Sequence, residues 1–386
     1  METRTAFKIS IVVFTAIATL ALVAVPLSMR NARSTVLVPI DLESIQSTEL
    51  DETAARALFP AIRDGDNRRA RFDPVTLLAL QPDQSRAQDH SEHPNGEWMM
   101  RTNNRGFRED TPTVVEKGED TYRILVAGDS HTEGLVDNRE SFPNVLERRL
   151  AEEIPGRSFD VVNAGVATMG PYNYLQVLKK NLDLAPDLFV AAFFVGNDFN
   201  DAVTIQSFLD RRKHGPWTAD ARKRLQAAAK KWPAQMAQGA YQAFRFHHHP
   251  EEAKIGLESS VRWFDEIRDL CKSCRIGFLA VIIPIKYDVD LRDDRPTYRQ
   301  FLSSLDLTGA ELALNRRLGQ RFVRMLGESG IDVLDPTEAM RECDDVLYWR
   351  EDYHINVLGH AFLAERILEN IEDEIQGPGI LESLFR

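Results

Sequence analysis

The sequence predicts an α/β protein with a mostly parallel sheet, to which an apolar N-terminal segment and a helical insertion are added. From residue 122 onwards, short apolar runs alternate with helical patterns. A small polar turn, Gly128-Asp129-Ser130, directly follows the first of these runs. Long before it, a stretch of 21 residues from Ile9 to Met29 carries no charged side chain.

The stretch from Ile9 to Met29 predicts a helix that spans a membrane. At about 1.5 Å per residue, a helix of this length would extend roughly 30 Å, the thickness of a bilayer core. A cleaved signal peptide is the alternative, because basic Arg4 and Lys8 precede the run. The length of the run favours an uncleaved anchor in residues 1–33. We therefore expect a single-pass anchor at residues 9–29 and a catalytic domain exported to the periplasm.

The chain after the anchor divides into two predicted regions. Residues 34–115 are rich in Asp, Arg, Gln and Pro, with little periodicity, and are expected to form a stalk and lead-in segment. Residues 116–386 form the predicted main domain, interrupted at 200–256 by a stretch of helical composition that is too long for a simple connection. Basic residues dominate 211–231, which indicates either a solvated helix or a lid that attracts an anionic substrate or lipid surface. The formal net charge of −12 argues against a general nucleic-acid binder.

Within the main domain, apolar runs alternate with helical patterns. Strands are predicted at 122–127, 159–164, 188–195, 275–284 and 331–335, and helices near 140–153, 172–183, 309–328 and 356–373. This alternation implies a mostly parallel sheet that helices cover on both faces. Because functional residues of such sheets collect at the carboxyl ends of the strands, Ser130 is a candidate nucleophile. The alternative is an ordinary turn, since Gly, Asp and Ser are common turn formers.

A serine hydroxyl needs a base, a group that orients the base, and donors for the developing oxyanion. The candidate base is His354, which follows Asp352 by two residues and Glu351 by three. A carboxylate this close is able to reach one imidazole nitrogen and leave the other for the serine. Candidate donors follow the second and third strands, namely the backbone N–H of Gly165 and the side chain of Asn197. Taken alone, these two residues are equally well a turn glycine and a helix cap.

Four motifs in this order resemble the conserved blocks of the SGNH/GDSL hydrolases. They read GDSHTEG, NAGVAT, VGND and DYHINVLGH, and the resemblance covers roughly residues 120–370. The lead-in, FDPVTLLALQPDQ at 72–84 and TNNRGFRED at 102–110, is similar to that of many bacterial members. The resemblance implies a flavodoxin-like three-layer α/β/α sandwich.

The resemblance also implies roles for single residues. Ser130 would be the nucleophile and His354 the general base, and the oxyanion hole would consist of the Ser130 backbone N–H with the Gly165 and Asn197 donors. Many members place the acid three residues before the histidine, where this chain has Glu351. Others place an aspartate two residues before it, which matches Asp352, so we expect Asp352 to be the acid and keep Glu351 as the alternative. Asp129, beside the nucleophile, is expected to bond backbone amides of the turn.

These observations predict a membrane-anchored serine esterase that needs no metal or organic cofactor. Its substrates would be O-acetyl groups of cell-envelope polysaccharide, or lipid esters. A polysaccharide O-acetyltransferase would use the same residues, because the two activities differ only in whether water or an alcohol reaches the acyl-enzyme. A non-catalytic envelope assembly protein that retains the fold is the alternative of another class.

The remaining metal-binding and redox residue types carry weaker patterns. Cys271 and Cys274 have the CxxC spacing but fall at the predicted end of a helix, which favours ordinary thiols over a redox or zinc site. A disulfide between them is the alternative for an exported domain. Three adjacent histidines, 247–249, lack nearby carboxylate or cysteine patterns, so they are a weak indication of a metal site.

Overall fold

The structure, a computed structural model, describes residues 47–62, 69–213, 215–290 and 296–376. The predicted membrane span at residues 9–29 lies outside this part of the chain. Among the described residues, no helix combines the length and the apolar character that crossing a bilayer requires. This finding contradicts the predicted location, and the expectation of a single-pass anchor with a periplasmic catalytic domain is corrected accordingly.

The described chain alternates strands and helices. The strands are β1 (Ala70–Asp73), β2 (Leu77–Leu80), β3 (Ser85–Asp89), β4 (Glu97–Arg101), β5 (Thr121–Gly128), β6 (Ser158–Asn163), β7 (Leu188–Phe194), β8 (Gly277–Ile283) and β9 (Asp332–Leu334). The α-helices are α1 (Glu52–Leu58), α2 (Ser130–Glu133), α3 (Phe142–Glu153), α4 (Pro171–Lys180), α5 (Asp198–Leu209), α6 (Ala219–Lys231), α7 (Pro233–Gln235), α8 (Tyr241–His248), α9 (Pro250–Cys274), α10 (Lys286–Val289), α11 (Pro296–Leu305), α12 (Gly309–Leu312), α13 (Leu314–Glu328), α14 (Thr337–Glu342) and α15 (Val357–Gln376). Short 3₁₀ turns at Asn138–Glu140 and Leu182–Leu184 and a π-type turn at Met236–Ala240 complete the described elements.

A five-stranded sheet carries the candidate site. Its strands run in the order β6-β5-β7-β8-β9, and every neighbouring pair is parallel. Counted along the chain, this is the order 2-1-3-4-5 of flavodoxin-like folds. All seven residues of β7, LFVAAFF, are buried, as expected for a parallel strand that is covered on both faces. The predicted parallel sheet is therefore confirmed, with strand ends within two residues of the expected positions.

The direction of the crossovers places helices on both faces of the sheet. The first connection runs from β5 outwards to β6, and the following ones run back through β7 and β8 to β9. Because such crossovers are right-handed, this reversal puts α3 on one face and α4, α9 and α13 on the other. The contacts agree, since α3 packs against α15, whereas α9 packs against α4, α5 and α13.

The lead-in region differs from the predicted stalk in that its described part, from residue 47 onwards, contains regular structure. Helix α1 is followed by two antiparallel hairpins, β1-β2 and β3-β4. These strands have only four or five residues, and β3 alternates between exposed and half-buried side chains. Such short pairs produce no sustained apolar run, which explains why the sequence pattern did not reveal them.

The region of the predicted insertion contains several helices. Its basic helix α6 buries Leu225 and Ala228 and leaves Arg222, Lys223 and Lys230 exposed, which favours a solvated basic face. After α6 the backbone kinks within residues 236–240 before α8 begins.

The predicted helix end at the CxxC pattern is also observed. Cys271 and Cys274 lie in the last turn of α9. Both are free thiols, as is Cys343, so the alternative of a disulfide between Cys271 and Cys274 is not realised in the structure.

Candidate active site

The turn after β5 presents Ser130 at the carboxyl edge of the sheet. Asp129 caps α2, and its Oδ1 accepts a hydrogen bond of 2.9 Å from the backbone N–H of His131. Asp129 is fully buried, and this burial raises the pKa of its carboxyl group to about 6. The Asp129 carboxyl group thus bonds the backbone of the turn. The Ser130 side chain, in contrast, is only half-buried.

The loop before α15 presents His354 to the serine. A backbone hydrogen bond of 2.8 Å from Trp349 N–H to His354 O closes this loop. Tyr353, which lies between Asp352 and His354, has a φ of +72°. This left-handed conformation is uncommon for an aromatic residue and accompanies a tight turn of the chain. Asp352 and His354 are thereby brought together, and the Asp352 carboxylate accepts a hydrogen bond from His354 Nδ1.

Ser130 and His354 meet although 224 positions separate them. Ser130 Oγ lies 2.8 Å from His354 Nε2, and His354 Nδ1 bonds Asp352. Burial alone would raise the pKa of Asp352, but the charge of His354 and its hydrogen bonds lower that pKa to about 2. The exposed Glu351 contributes a backbone N–H to another contact instead, a 2.9 Å bond to Glu92. The carboxylate bonded to the imidazole is thus that of Asp352.

Two of the three predicted oxyanion donors belong to residues that follow β5 and β7, at the carboxyl edge of the sheet. The backbone N–H of Ser130 has no hydrogen-bond acceptor among the residues that the structure describes. Asn197 precedes α5, directly beyond β7, and is half-buried. Its side chain lowers the pKa of the nearby Asp129 carboxyl group and so partly opposes the effect of burial.

The third predicted donor, Gly165, is differently engaged. Its N–H donates to Asn163 Oδ1 at 3.0 Å, within the turn that follows β6. A Cβ at this position would lie 2.5 Å from the backbone nitrogen of Glu133, closer than real side chains approach. The glycine therefore allows helix α2 to pack directly on this turn.

Buried charged side chains hold the turn that carries Ser130. The guanidinium of Arg108, which is fully buried, donates to the carbonyl oxygens of Glu133, Gly134 and Val136 at 2.7–2.8 Å. The carboxylate of Glu133 accepts from the Ala167 N–H at 2.7 Å and also pairs with an arginine of the lead-in region. These contacts join α2 to the loop after β6, so the position of the serine depends on several elements.

Gln238, in the kinked part of the insertion, was not predicted from the sequence and contacts both His354 and His131. Its side-chain Nε2 lies 3.1 Å from His354 Nε2, and its Oε1 lies 2.8 Å from His131 Nε2. The residue is 3 % exposed. The only sequence signal was Gly239, a glycine inside a helical stretch.

Two residues of the β3-β4 loop were also missed. The carboxylate of Glu92 accepts the successive backbone N–H groups of Arg350, Glu351 and Asp352 at 2.6, 2.9 and 3.2 Å. His90 lies beside the same loop, with its ring 4.7 Å from that of Trp349, and its burial lowers the pKa of the imidazole. The lead-in hairpin thus braces the loop that carries the acid and the base.

In the described part of the chain, no group of three or more His, Cys, Asp or Glu side chains is arranged to hold a metal ion. Around Ser130 the structure brings together its own hydroxyl, the His354 imidazole and the Asp352 carboxylate. Such a set is suited to acyl transfer through a serine nucleophile.

No protein-family model matches this chain. No curated protein matches it either. Among solved structures, it is similar to an acetyl xylan esterase at 12% identity and a TM-score of 0.39, over 64% of this chain and 99% of the other. A protein of the G-D-S-L family from Desulfitobacterium hafniense DCB-2 is 15% identical with a TM-score of 0.37, over 64% and 98%. A two-domain esterase active on acetylated mannans is 13% identical with a TM-score of 0.38, over 67% of this chain and 51% of its own. Likenesses of this strength do not by themselves assign an activity to the chain.

Proposed function

We propose that this protein is a serine esterase that transfers an acyl group from an ester to Ser130 and then releases it. The observation that carries the proposal is the 2.8 Å contact between Ser130 Oγ and His354 Nε2, with Asp352 bonded to the other imidazole nitrogen. A hydroxyl, a base and an orienting acid in this sequence of contacts form the arrangement that serine hydrolases use on several unrelated folds.

In the proposed mechanism, the oxygen of Ser130 attacks the ester carbonyl while His354 Nε2 takes the hydroxyl proton. Asp352 holds the imidazole by its Nδ1–H and stabilises the imidazolium that forms. The C–O bond to the alcohol breaks, and the alcohol oxygen leaves with the proton from Nε2. Attack by water then releases the acid and restores the serine hydroxyl.

The negative charge that develops on the carbonyl oxygen needs hydrogen-bond donors. We assign this role to the Ser130 backbone N–H and the Asn197 side chain, because both residues follow central strands at the carboxyl edge of the sheet. Gly165 N–H would join them only after leaving its bond to Asn163. Each donor of this kind typically contributes on the order of 10²–10³ in rate.

For the substrate, we propose an ester with a small acyl group, such as an O-acetyl group on a glycan, with lipid esters as the alternative. A panel of aryl esters with acyl chains of increasing length, together with acetylated glycans, distinguishes the two. Preferential release of acetate supports the first proposal, whereas faster turnover of long-chain esters supports the second.

The catalytic proposal is tested by labelling the folded full-length protein with a fluorophosphonate probe, which reacts with activated serines. We expect labelling of the native protein and none of Ser130→Ala, with esterase activity reduced at least ~10⁴-fold. Ser303→Ala, at an exposed serine of α11, is the matched control and should label normally. If the folded native protein neither labels nor turns over esters, the non-catalytic alternative is favoured. If Ser130→Ala remains active, Ser130 is not the nucleophile.

A further inference from the structure

Residues 236–240, the kinked segment, hold Gln238 in a fixed position. Gly239 has a φ of +110°, and a Cβ there would lie 2.9 Å from Asn315 Nδ2, so the kink requires glycine. Asn315 Nδ2 donates to Gly239 O at 2.8 Å, and Gln242 Nε2 donates to Asn315 Oδ1 at 2.9 Å and to Val195 O at 2.8 Å. Buried amides therefore attach the kinked segment to α13 and to the end of β7.

Hydrogen-bond polarity fixes which end of the Gln238 amide faces the catalytic base. The backbone N–H of Ile355 donates to His131 Nδ1 at 3.4 Å, so this nitrogen is an acceptor. The proton of the neutral His131 ring then resides on Nε2 and is donated to Gln238 Oε1 at 2.8 Å. The other end of the amide, its NH₂ group, consequently faces His354 Nε2 at 3.1 Å.

Two donors therefore converge on one acceptor. His354 Nε2 has a single lone pair, and both Ser130 Oγ–H and the Gln238 NH₂ group point towards it. Once Ser130 carries an acyl group, its hydroxyl proton is gone, and the hydroxyl of the next reactant must deliver its own proton to the same nitrogen. Gln238 is the side chain that lies next to the position this hydroxyl has to occupy.

On the basis of the proposed esterase function, we propose that Gln238 binds the oxygen of the acyl acceptor, water or an alcohol, and orients it between the acyl-enzyme and His354. In this step the acceptor oxygen bonds the acyl carbon as its proton moves to Nε2. The bond from the acyl carbon to Ser130 Oγ then breaks, and Oγ regains the proton from Nε2. The Gln238 N–H donates a hydrogen bond to one lone pair of the water or alcohol oxygen. The other lone pair of that oxygen stays free to attack the acyl carbon. Gln238 thereby influences whether water or an alcohol receives the acyl group.

The test uses 4-nitrophenyl acetate with the full-length protein, with and without ethylene glycol as an alcohol acceptor. The value of kcat/KM reports acylation, because it covers only the steps up to the irreversible release of 4-nitrophenolate. Acylation takes place before the acyl acceptor binds, so it does not require Gln238 to hold that acceptor. In Gln238→Leu and Gln238→Met, which lack the N–H donor and introduce no charge, we expect kcat/KM within about threefold of the native value and kcat roughly 10–100-fold lower. Intact-mass spectra should show acetylated enzyme accumulating, and the ratio of glycol monoacetate to acetate should change about fivefold or more.

Two further variants sharpen the experiment. His131→Phe removes the bond that orients the amide and should change the same quantities in the same direction, but less. Gln235→Leu is the matched control, since it replaces a half-buried glutamine three positions away in the same insertion and should change neither quantity. If Gln238→Leu does not fold, Gln238→Met, which has nearly the same length and no N–H donor, provides the comparison.

Each outcome is decisive for one of the two proposals. Equal losses of kcat and kcat/KM in the Gln238 variants, or no change in kcat and in the product ratio, would overturn the role of Gln238. Failure of the native enzyme to form an acetyl group on Ser130 would instead overturn the esterase proposal itself.

Discussion

The parallel sheet and the segments added to it contribute different groups to the candidate site. The carboxyl ends of β5 and β7 present Ser130 and Asn197, the proposed nucleophile and oxyanion donor. The β3-β4 hairpin and the insertion present Glu92 and Gln238, which contact the histidine and its loop. We infer that the sheet supplies the groups that would make and break bonds. The β3-β4 hairpin and the insertion would control the position of His354, the proposed base.

The two regions also differ in how their residues are held. Residues at strand ends need only a short turn to reach the site, because adjacent parallel strands end at the same edge. Gln238 and Glu92 depend on contacts between elements far apart in the chain, such as the 2.8 Å bond from Asn315 to Gly239. Substitutions in the first region should therefore remove catalysis, and those in the second should change its rate and specificity.

Among the candidate site residues, the largest difference is expected between the neighbouring acids Asp352 and Glu351. Asp352→Asn removes the carboxylate bonded to His354 Nδ1 and should lower kcat roughly 10²–10⁴-fold. Glu351→Gln should stay within about threefold of the native rate, since its exposed side chain does not bond the imidazole. Steady-state kinetics on an aryl acetate measure both, and a larger loss in Glu351→Gln would reassign the acid.

Two residues at the sheet edge, Asn197 and Gly165, are expected to differ, because the first is a proposed oxyanion donor and the second is a packing residue. Asn197→Ala should reduce kcat on the order of 10²–10³-fold, because an oxyanion donor is lost. Gly165→Ala should instead lower the free energy of unfolding by about 1–3 kcal/mol, since its Cβ would press on the backbone of Glu133. Kinetics and denaturant unfolding of both variants test this. A stable Gly165→Ala protein with low activity would show that this residue belongs with the donors.

In the added hairpin, Glu92→Ala should have a moderate effect. The substitution removes the acceptor of three successive N–H groups in the loop that carries Asp352. We expect kcat/KM to fall about 3–10-fold and the free energy of unfolding to fall by about 1–2 kcal/mol. Glu97→Ala, at an exposed glutamate of the same hairpin, is the control. Identical behaviour of the two variants would argue that the hairpin does not brace the loop.

An effect on stability that depends on pH is expected at Asp201, a half-buried acid of helix α5. Burial raises the pKa of Asp201 from its ordinary value of 3.8 to about 8 in the folded protein. The unfolded chain therefore releases this proton first, so the stabilising contribution of the protonated carboxyl is complete below pH 3.8 and is lost as the pH rises towards 8. Asp201→Asn cannot titrate and should flatten the decline of stability between these limits by up to about 1.4 kcal/mol per pH unit. Urea unfolding at several pH values tests this, and parallel pH profiles of native and variant protein would contradict it.

Local patterns were sufficient to predict the sheet and the residues that meet at its edge. Continuous apolar runs such as LFVAAFF are required wherever a parallel strand is covered on both faces, so β7 was visible in the sequence. Ser130 closely follows another apolar run, at 122–127, and Asp352 precedes His354 by two residues. The serine and the acid–histidine pair were therefore recognisable from short stretches. The hairpins between residues 70 and 101 were not, because strands of four or five residues leave no comparable period.

The amino-acid sequence by itself determined the parallel α/β architecture and the choice of Ser130, His354 and Asp352 as candidate site residues. Each strand and each candidate residue is recognisable from a few consecutive residues. Only the tertiary structure decided that the Gly165 N–H bonds Asn163 and that Gln238 reaches His354. Gln238 reaches it because Asn315 and Gln242 hold a kink that Gly239 permits. Such contacts join residues from separate elements, and no local periodicity encodes which elements will pack together.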